Sequence, residues 1–127
     1  MVDDDPLVAR SVARVVTLYT GLSVRCAHTQ AEACQAIGTP PTAGVVLLDY
    51  DLGPQSPDGV GVLGSLRQRG FRAPAAFVSS MPPWFVQRRL REAGLEPAPC
   101  FQKPVAPALL KEWIGKYAKL CGSGLSA

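Results

Sequence analysis

Apolar residues follow two alternating rhythms along this chain. After Asp5 and Pro6, Val8, Val12, Val15 and Tyr19 recur at helical spacing. The aspartate can cap that helix, and the proline suits its first position. Leu22 to Ala27 then reads as a short strand. Thr29-Gln30-Ala31-Glu32 is a capping box opening a second helix, which Gly38 ends. Gly44-Val45-Val46-Leu47-Leu48 is apolar throughout, as a central strand covered on both faces should be. Gly53 to Asp58 has turn chemistry. A third helix follows from Gly59 to Arg69, weakened by Gly59, Gly61 and Gly64. Ala73 to Ser79 is the next strand. Pro82-Pro83 opens a fourth helix that Gly94 ends, and Cys100 to Lys103 forms a last short strand. Pro107 begins a final helix with Leu110, Trp113, Ile114, Tyr117 and Leu120 on its core face. Residues 1–121 read as one domain, and Gly122 to Ala127 as a tail or linker.

Alternating helices and strands predict an α/β domain with a parallel sheet. In such a sheet the C-terminal strand ends converge on one crevice. The polar residues at those ends are Asp3-Asp4-Asp5, Asp49, Ser79 and Lys103. Several carboxylates, a hydroxyl and an ammonium would thus share a pocket. That set can hold a divalent metal and accept a phosphoryl group on an aspartate. Clustered carboxylates repel and raise one another's pKa, a cost that a small hard cation relieves.

Composition narrows the alternatives. At 127 residues and 47% apolar content, the chain suits one folded domain. No apolar run approaches the ~20 residues of a membrane span, and an acidic N-terminus is unlike a signal peptide, which predicts a cytoplasmic protein. Cys26, Cys34, Cys100 and Cys121 lack metal-ligand spacing and read as free thiols. A net charge of +3 is too small to imply nucleic acid, and the basic residues of Arg67-Gln68-Arg69 and Gln87 to Arg91 read as solvated helix faces. His28, the sole histidine, reads as a surface residue without chemistry. One of Trp84 and Phe85 is expected in the core, the other on a partner surface.

Taken in order, Val2-Asp3-Asp4-Asp5-Pro6-Leu7, Leu47-Leu48-Asp49, Asp58-Gly59, Val78-Ser79-Ser80, Ala93-Gly94 and Lys103-Pro104 give the chain its family likeness. It resembles the receiver domain of two-component response regulators over nearly its whole length. The resemblance implies a flavodoxin-like doubly wound parallel sheet of order 2-1-3-4-5. It implies that Asp49 is the phosphoacceptor, and that Asp3, Asp4, Asp49 and the backbone carbonyl of Asp51 hold Mg²⁺. Ser79, preferred over Ser80, and Lys103 would contact phosphoryl oxygens, and the Lys103-Pro104 bond would be cis. The donor would be a histidine kinase or a histidine phosphotransfer protein. Output would pass through another protein or a fused domain by way of Pro83–Arg91 and Cys100–Lys111, with no direct nucleic-acid or membrane partner and with a homodimer left open. Such a domain is no enzyme beyond its own phosphorylation and dephosphorylation.

Three departures qualify that expectation. Cys100 stands where the family has a switching aromatic residue, so a small conformational response is expected; Phe101 should point into the core. The loop after Asp49 is longer than the common pattern and has Gly53 where proline is frequent. Only Met1-Val2 precede the acids, too few to span a sheet at ~3.3 Å per residue. The first strand should therefore be cut short, leaving its neighbours unpaired, or more apolar residues should lie upstream. Two other functions fit the same residues. A pseudo-receiver would bind without being phosphorylated. Asp49-Tyr50-Asp51 also matches the Asp-x-Asp signature of haloacid-dehalogenase-type phosphatases.

Overall fold

The computed structural model describes residues 1–37, 44–54 and 57–121, the last five of these as helical backbone only. Eight elements follow in order: α1 (Pro6–Thr20), α2 (Gln30–Ala36), β1 (Val46–Leu48), α3 (Gly59–Gln68), β2 (Ala75–Ser79), α4 (Pro83–Glu92), β3 (Cys100–Gln102) and α5 (Pro107–Cys121). Their starts follow the expected local chemistry. Asp5 accepts from the Leu7 amide at 3.0 Å and caps α1, with Pro6 at its first position. Thr29 accepts from Glu32 N at 3.2 Å and caps α2. The glutamate reaches back to the amide of His28 at 2.8 Å, one residue before the usual capping-box partner. Gly38, the expected end of α2, lies outside the described residues, as do residues 122–127 and the side chains of Tyr117, Leu120 and Cys121.

The three strands pair in parallel, in the order β1-β2-β3. Alternation along them builds two apolar layers. Val46, Leu48, Ala75 and Phe77 pack toward α2, α3 and α4 with Val60, Leu63, Leu66, Val86 and Leu90. Leu47, Ala76 and Val78 face the other way, toward Val12 and Val16 of α1 and Leu110, Trp113 and Ile114 of α5. Every residue of β1 and β2 is buried, as a sheet covered on both faces requires. Phe101 packs on this second layer, edge-on to Trp113 with ring centroids 6.2 Å apart.

At the start of the chain Val2 pairs on both sides, in parallel bridges to Ala27 and Leu48. Val2 N donates to Leu47 O at 2.8 Å, and Asp49 N to Val2 O at 2.8 Å. On the other flank Ala27 N donates to Met1 O at 2.9 Å, Asp3 N to Ala27 O at 3.0 Å, and the Met1 ammonium to Arg25 O at 2.7 Å. The spatial order is therefore Ala27, Val2, β1, β2, β3, which is the 2-1-3-4-5 arrangement in abbreviated form. Neighbours expected to lack partners are thus paired at their C-terminal ends.

Several sequence expectations need correction. Leu22 to Cys26 form no strand; Ala27 alone makes a bridge, because a strand needs a partner of matching length and Met1–Asp3 offers only a few positions. The buried stripe of α1 is Ala9, Val12 and Val16; Val8 and Val15 are half-buried and Tyr19 is exposed. Arg67 is no solvated charge: its guanidinium donates to Phe71 O at 3.0 Å and Ala73 O at 2.7 Å and lies over the Phe71 ring. Arg89 is half-buried and pairs with Asp58 at 3.1 Å, whereas Arg69, Arg88 and Arg91 are exposed as expected. Cys26, Cys34 and Cys100 are free thiols. Among the described residues no helix is long and apolar enough to cross a membrane.

Candidate functional site

Parallel pairing brings the four expected polar positions to one end of the sheet. Asp3 follows the Val2 bridge, Asp49 follows β1, Ser79 ends β2 and Lys103 follows β3. The Lys103 ammonium donates to Asp3 Oδ2 at 2.9 Å and to Asp49 Oδ2 at 3.2 Å. Its backbone is held as well, since Lys103 N donates to Ser79 O at 2.9 Å and the peptide bond to Pro104 is cis. Asp3 is 1% exposed, and its other carboxylate oxygen accepts from the Asp5 amide at 3.0 Å. That bond turns the chain into α1 and aims Asp3 at the pocket rather than at solvent.

Asp49 sits between opposing influences. Burial pushes its carboxyl above the ordinary range. The Lys103 charge pulls it down, the Asp3 charge pushes it up, and hydrogen bonds from Lys103 and Ser79 pull it down; the net direction is upward. Burial lowers the Lys103 ammonium, but hydrogen bonds and charges of Asp3 and Asp49 outweigh it, and its pKa is raised. One ammonium thus serves two buried carboxylates.

Asp4 is exposed beside this pair. Carboxylate oxygens of Asp3, Asp4 and Asp49 lie within 4.8 Å of one another, close enough to share one cation. Ser79 is the buried hydroxyl, whereas Ser80 is exposed. Ser79 Oγ also accepts from Met81 N at 3.2 Å, which fixes the turn leaving β2. Asp51 is exposed, and its Oδ1 accepts from Gly53 N at 3.0 Å in an Asx-type turn. Gly59 opens α3 against the backbone of Asp49. A Cβ there would collide with the Asp49 carbonyl oxygen, and the residue has none.

Two features were not expected from the sequence. His28 is half-buried, and its Nδ1 lies 2.9 Å from the carbonyl oxygen of Asp3, so it borders the acid cluster instead of standing apart. The other is a polar knot at the far end of the loop that Asp49 opens. Asp58 caps α3 by accepting from Gly61 N at 2.9 Å and pairs with Arg89 of α4 at 3.1 Å, beside Tyr50. Tyr50 packs edge-on against Phe85, with ring centroids 5.3 Å apart, and Trp84 remains 65% exposed. Cys100 faces this side too, its sulfur 3.6 Å from Gln87 Nε2, and burial pushes its thiol up to about 11.

With the geometry in place, comparison with solved structures is decisive for the fold. A two-component response regulator from Clostridium difficile superposes with a TM-score of 0.77 at 16% identity, covering 96% of this chain and 95% of that one. The fold is that of a response-regulator receiver domain. The receiver domain of NtrX from Brucella abortus gives a TM-score of 0.76 at 21% identity, with 93% and 95% covered. The BeF₃-activated N-terminal receiver domain of Klebsiella pneumoniae RstA gives 0.73 at 23% identity, with 91% and 93% covered. No protein-family model matches the chain, and no curated protein does. At these identities the likeness is one of fold.

Proposed function

We propose that this chain is a phosphoacceptor module of a two-component pathway, taking a phosphoryl group onto Asp49 from a histidine kinase or histidine phosphotransfer protein. The observation that carries the reading is the Lys103 ammonium, bonded at once to Asp49 and Asp3 at the strand ends beside Ser79. Receiver-fold neighbours support the same reading.

An oxygen of the Asp49 carboxylate attacks phosphorus while the bond from phosphorus to the donor breaks. The electron pair leaves with the donor, and an acyl phosphate forms. Lys103 moves its charge from the carboxylate to a phosphoryl oxygen, and the Ser79 hydroxyl donates to another. Water reverses the modification, yielding inorganic phosphate and free Asp49. In-line transfer of this kind depends mainly on positioning and charge neutralisation. The carboxylates of Asp3, Asp4 and Asp49, with the carbonyl of Asp51, would hold Mg²⁺. Mutually close hard oxygen donors with too little positive charge among them fit such an ion. When bound, it supplies the further positive charge that the phosphoryl oxygens need.

Self-modification is the whole of this chemistry, in a cytoplasmic signalling protein. The phosphatase alternative needs Asp51 as a second catalytic acid. That carboxylate is exposed and bonded to the amide of Gly53, which favours the receiver reading.

Acetyl phosphate with Mg²⁺ should add one phosphoryl group to the intact protein, as read by mass spectrometry. Asp49→Asn keeps the shape, removes the nucleophile and should abolish the adduct. Unchanged labelling of Asp49→Asn would reject the assignment. A parent protein that binds Mg²⁺ but never labels would make it a pseudo-receiver.

A further inference from the structure

The Asp3-Asp4 turn is held on one side and given room on the other by residues that neither pair with Lys103 nor belong to the acid cluster. On one side stands His28. Asp3 O is where the next rung between Met1–Asp3 and Ala27 would fall, since Ala27 N bonds Met1 O and Asp3 N bonds Ala27 O. The chain leaves that ladder at Thr29 to cap α2, and His28 Nδ1 meets the Asp3 carbonyl at 2.9 Å instead. A carbonyl only accepts, so Nδ1 carries the hydrogen. His28 is itself tethered through its amide to Glu32 in the first turn of α2. Because the peptide unit is planar, fixing the Asp3 carbonyl fixes the start of Asp4.

On the other side stands Gly53, at φ +80°. A Cβ there would lie 3.0 Å from Asp4 Oδ2 and 3.9 Å from Asp4 Cγ. Any other residue would bring both backbone strain and a displaced carboxylate.

We propose that His28 and Gly53 are positioning residues that aim the exposed Asp4 carboxylate at the cation shared with Asp3 and Asp49. The inference rests on the functional reading above. It assigns the longer Asp49–Asp58 loop a purpose: its glycine leaves the space that Asp4 occupies.

The test is calorimetric titration of the whole chain with Mg²⁺ alone. His28→Ala should raise the dissociation constant on the order of threefold to tenfold, the scale of one lost positioning hydrogen bond, and Gly53→Ala should also raise it, by strain at a left-handed position and displacement of the Asp4 carboxylate. His28→Asn can place an amide donor near the Nδ1 position and should restore affinity to near the parent value. Val86→Ala, a fully buried residue of α4 outside the acid cluster, should lower the melting temperature and leave Mg²⁺ affinity unchanged. Parent-like affinity in both His28→Ala and Gly53→Ala overturns the proposal. So does equal weakening in Val86→Ala, or failure of His28→Asn to recover. Failure of the parent protein to bind Mg²⁺ would overturn the functional reading and this proposal together.

Discussion

Asp49 and Asp58 bracket the same β1–α3 loop, yet their surroundings push them in opposite directions. Asp49 is buried beside a second carboxylate and shares one ammonium with it; burial is the largest influence and its pKa is raised. Burial also pushes Asp58 up. There, however, the Gly61 amide, the Arg89 hydrogen bond, the neighbouring Tyr50 hydroxyl and the Arg89 charge prevail, and its pKa is lowered. Asp58 is a satisfied structural cap that joins α3 to α4. Asp49 holds charge that its neighbours only partly compensate, a condition suited to the phosphoacceptor role proposed for it. Side-chain identity is the same; the difference lies in how many donors each environment supplies.

The largest effect that would sharpen this contrast comes from Lys103. Lys103→Met leaves Asp3 and Asp49 together without their ammonium. We expect a loss of about 2–3 kcal/mol in metal-free buffer, below the full cost of breaking a buried pair because the ammonium is partly exposed. Mg²⁺ should restore part of it. Denaturant unfolding with and without Mg²⁺ measures both, and a neutral substitution would show that the two acids do not depend on Lys103.

Asp58→Ala should cost about 1 kcal/mol, the usual worth of a helix cap, while leaving acetyl phosphate labelling intact. Asp49→Asn should do the reverse: no labelling, and stability equal to or above that of the parent. Thermal melts paired with intact mass would read the two outcomes together. Loss of labelling in Asp58→Ala would erase the distinction between acceptor and cap.

The smallest effect is in pH dependence. For Asp49 the folded state binds its proton more tightly than the unfolded chain, whose value is near 3.8. Its contribution to metal-free stability therefore falls as pH rises from 3.8 through the raised pKa. For Asp58 the contribution is present above 3.8 and is lost as pH falls through the lowered value. Melting temperature against pH should thus change slope in opposite senses in Asp49→Asn and Asp58→Asn relative to the parent. Slopes that change in the same sense would contradict the comparison.

Much of this was legible in the sequence because it is written locally. Caps at Asp5 and Thr29, the apolar runs of β1 and β2 and the polar residue after each run place Asp3, Asp49, Ser79 and Lys103 without reference to distant contacts. What the sequence hid depends on partners far along the chain. Leu22 to Cys26 have strand-like composition, but pairing depends on Met1–Asp3. Arg89 looks like a surface charge until α4 is laid beside the cap of α3. His28 is remote from the acids by residue number. The 2-1-3-4-5 order contained the missing signal, for it sets the segment ending at Ala27 directly beside Val2 and hence His28 beside Asp3.

The most direct test of the central claim is to locate the phosphoryl group itself. After acetyl phosphate treatment of the parent protein, with Mg²⁺ and separately with EDTA, peptide mapping should find the adduct on Asp49 alone and only in the Mg²⁺ sample. An adduct on Asp51 or Asp58, or one on Asp49 that forms equally in EDTA, would contradict the account.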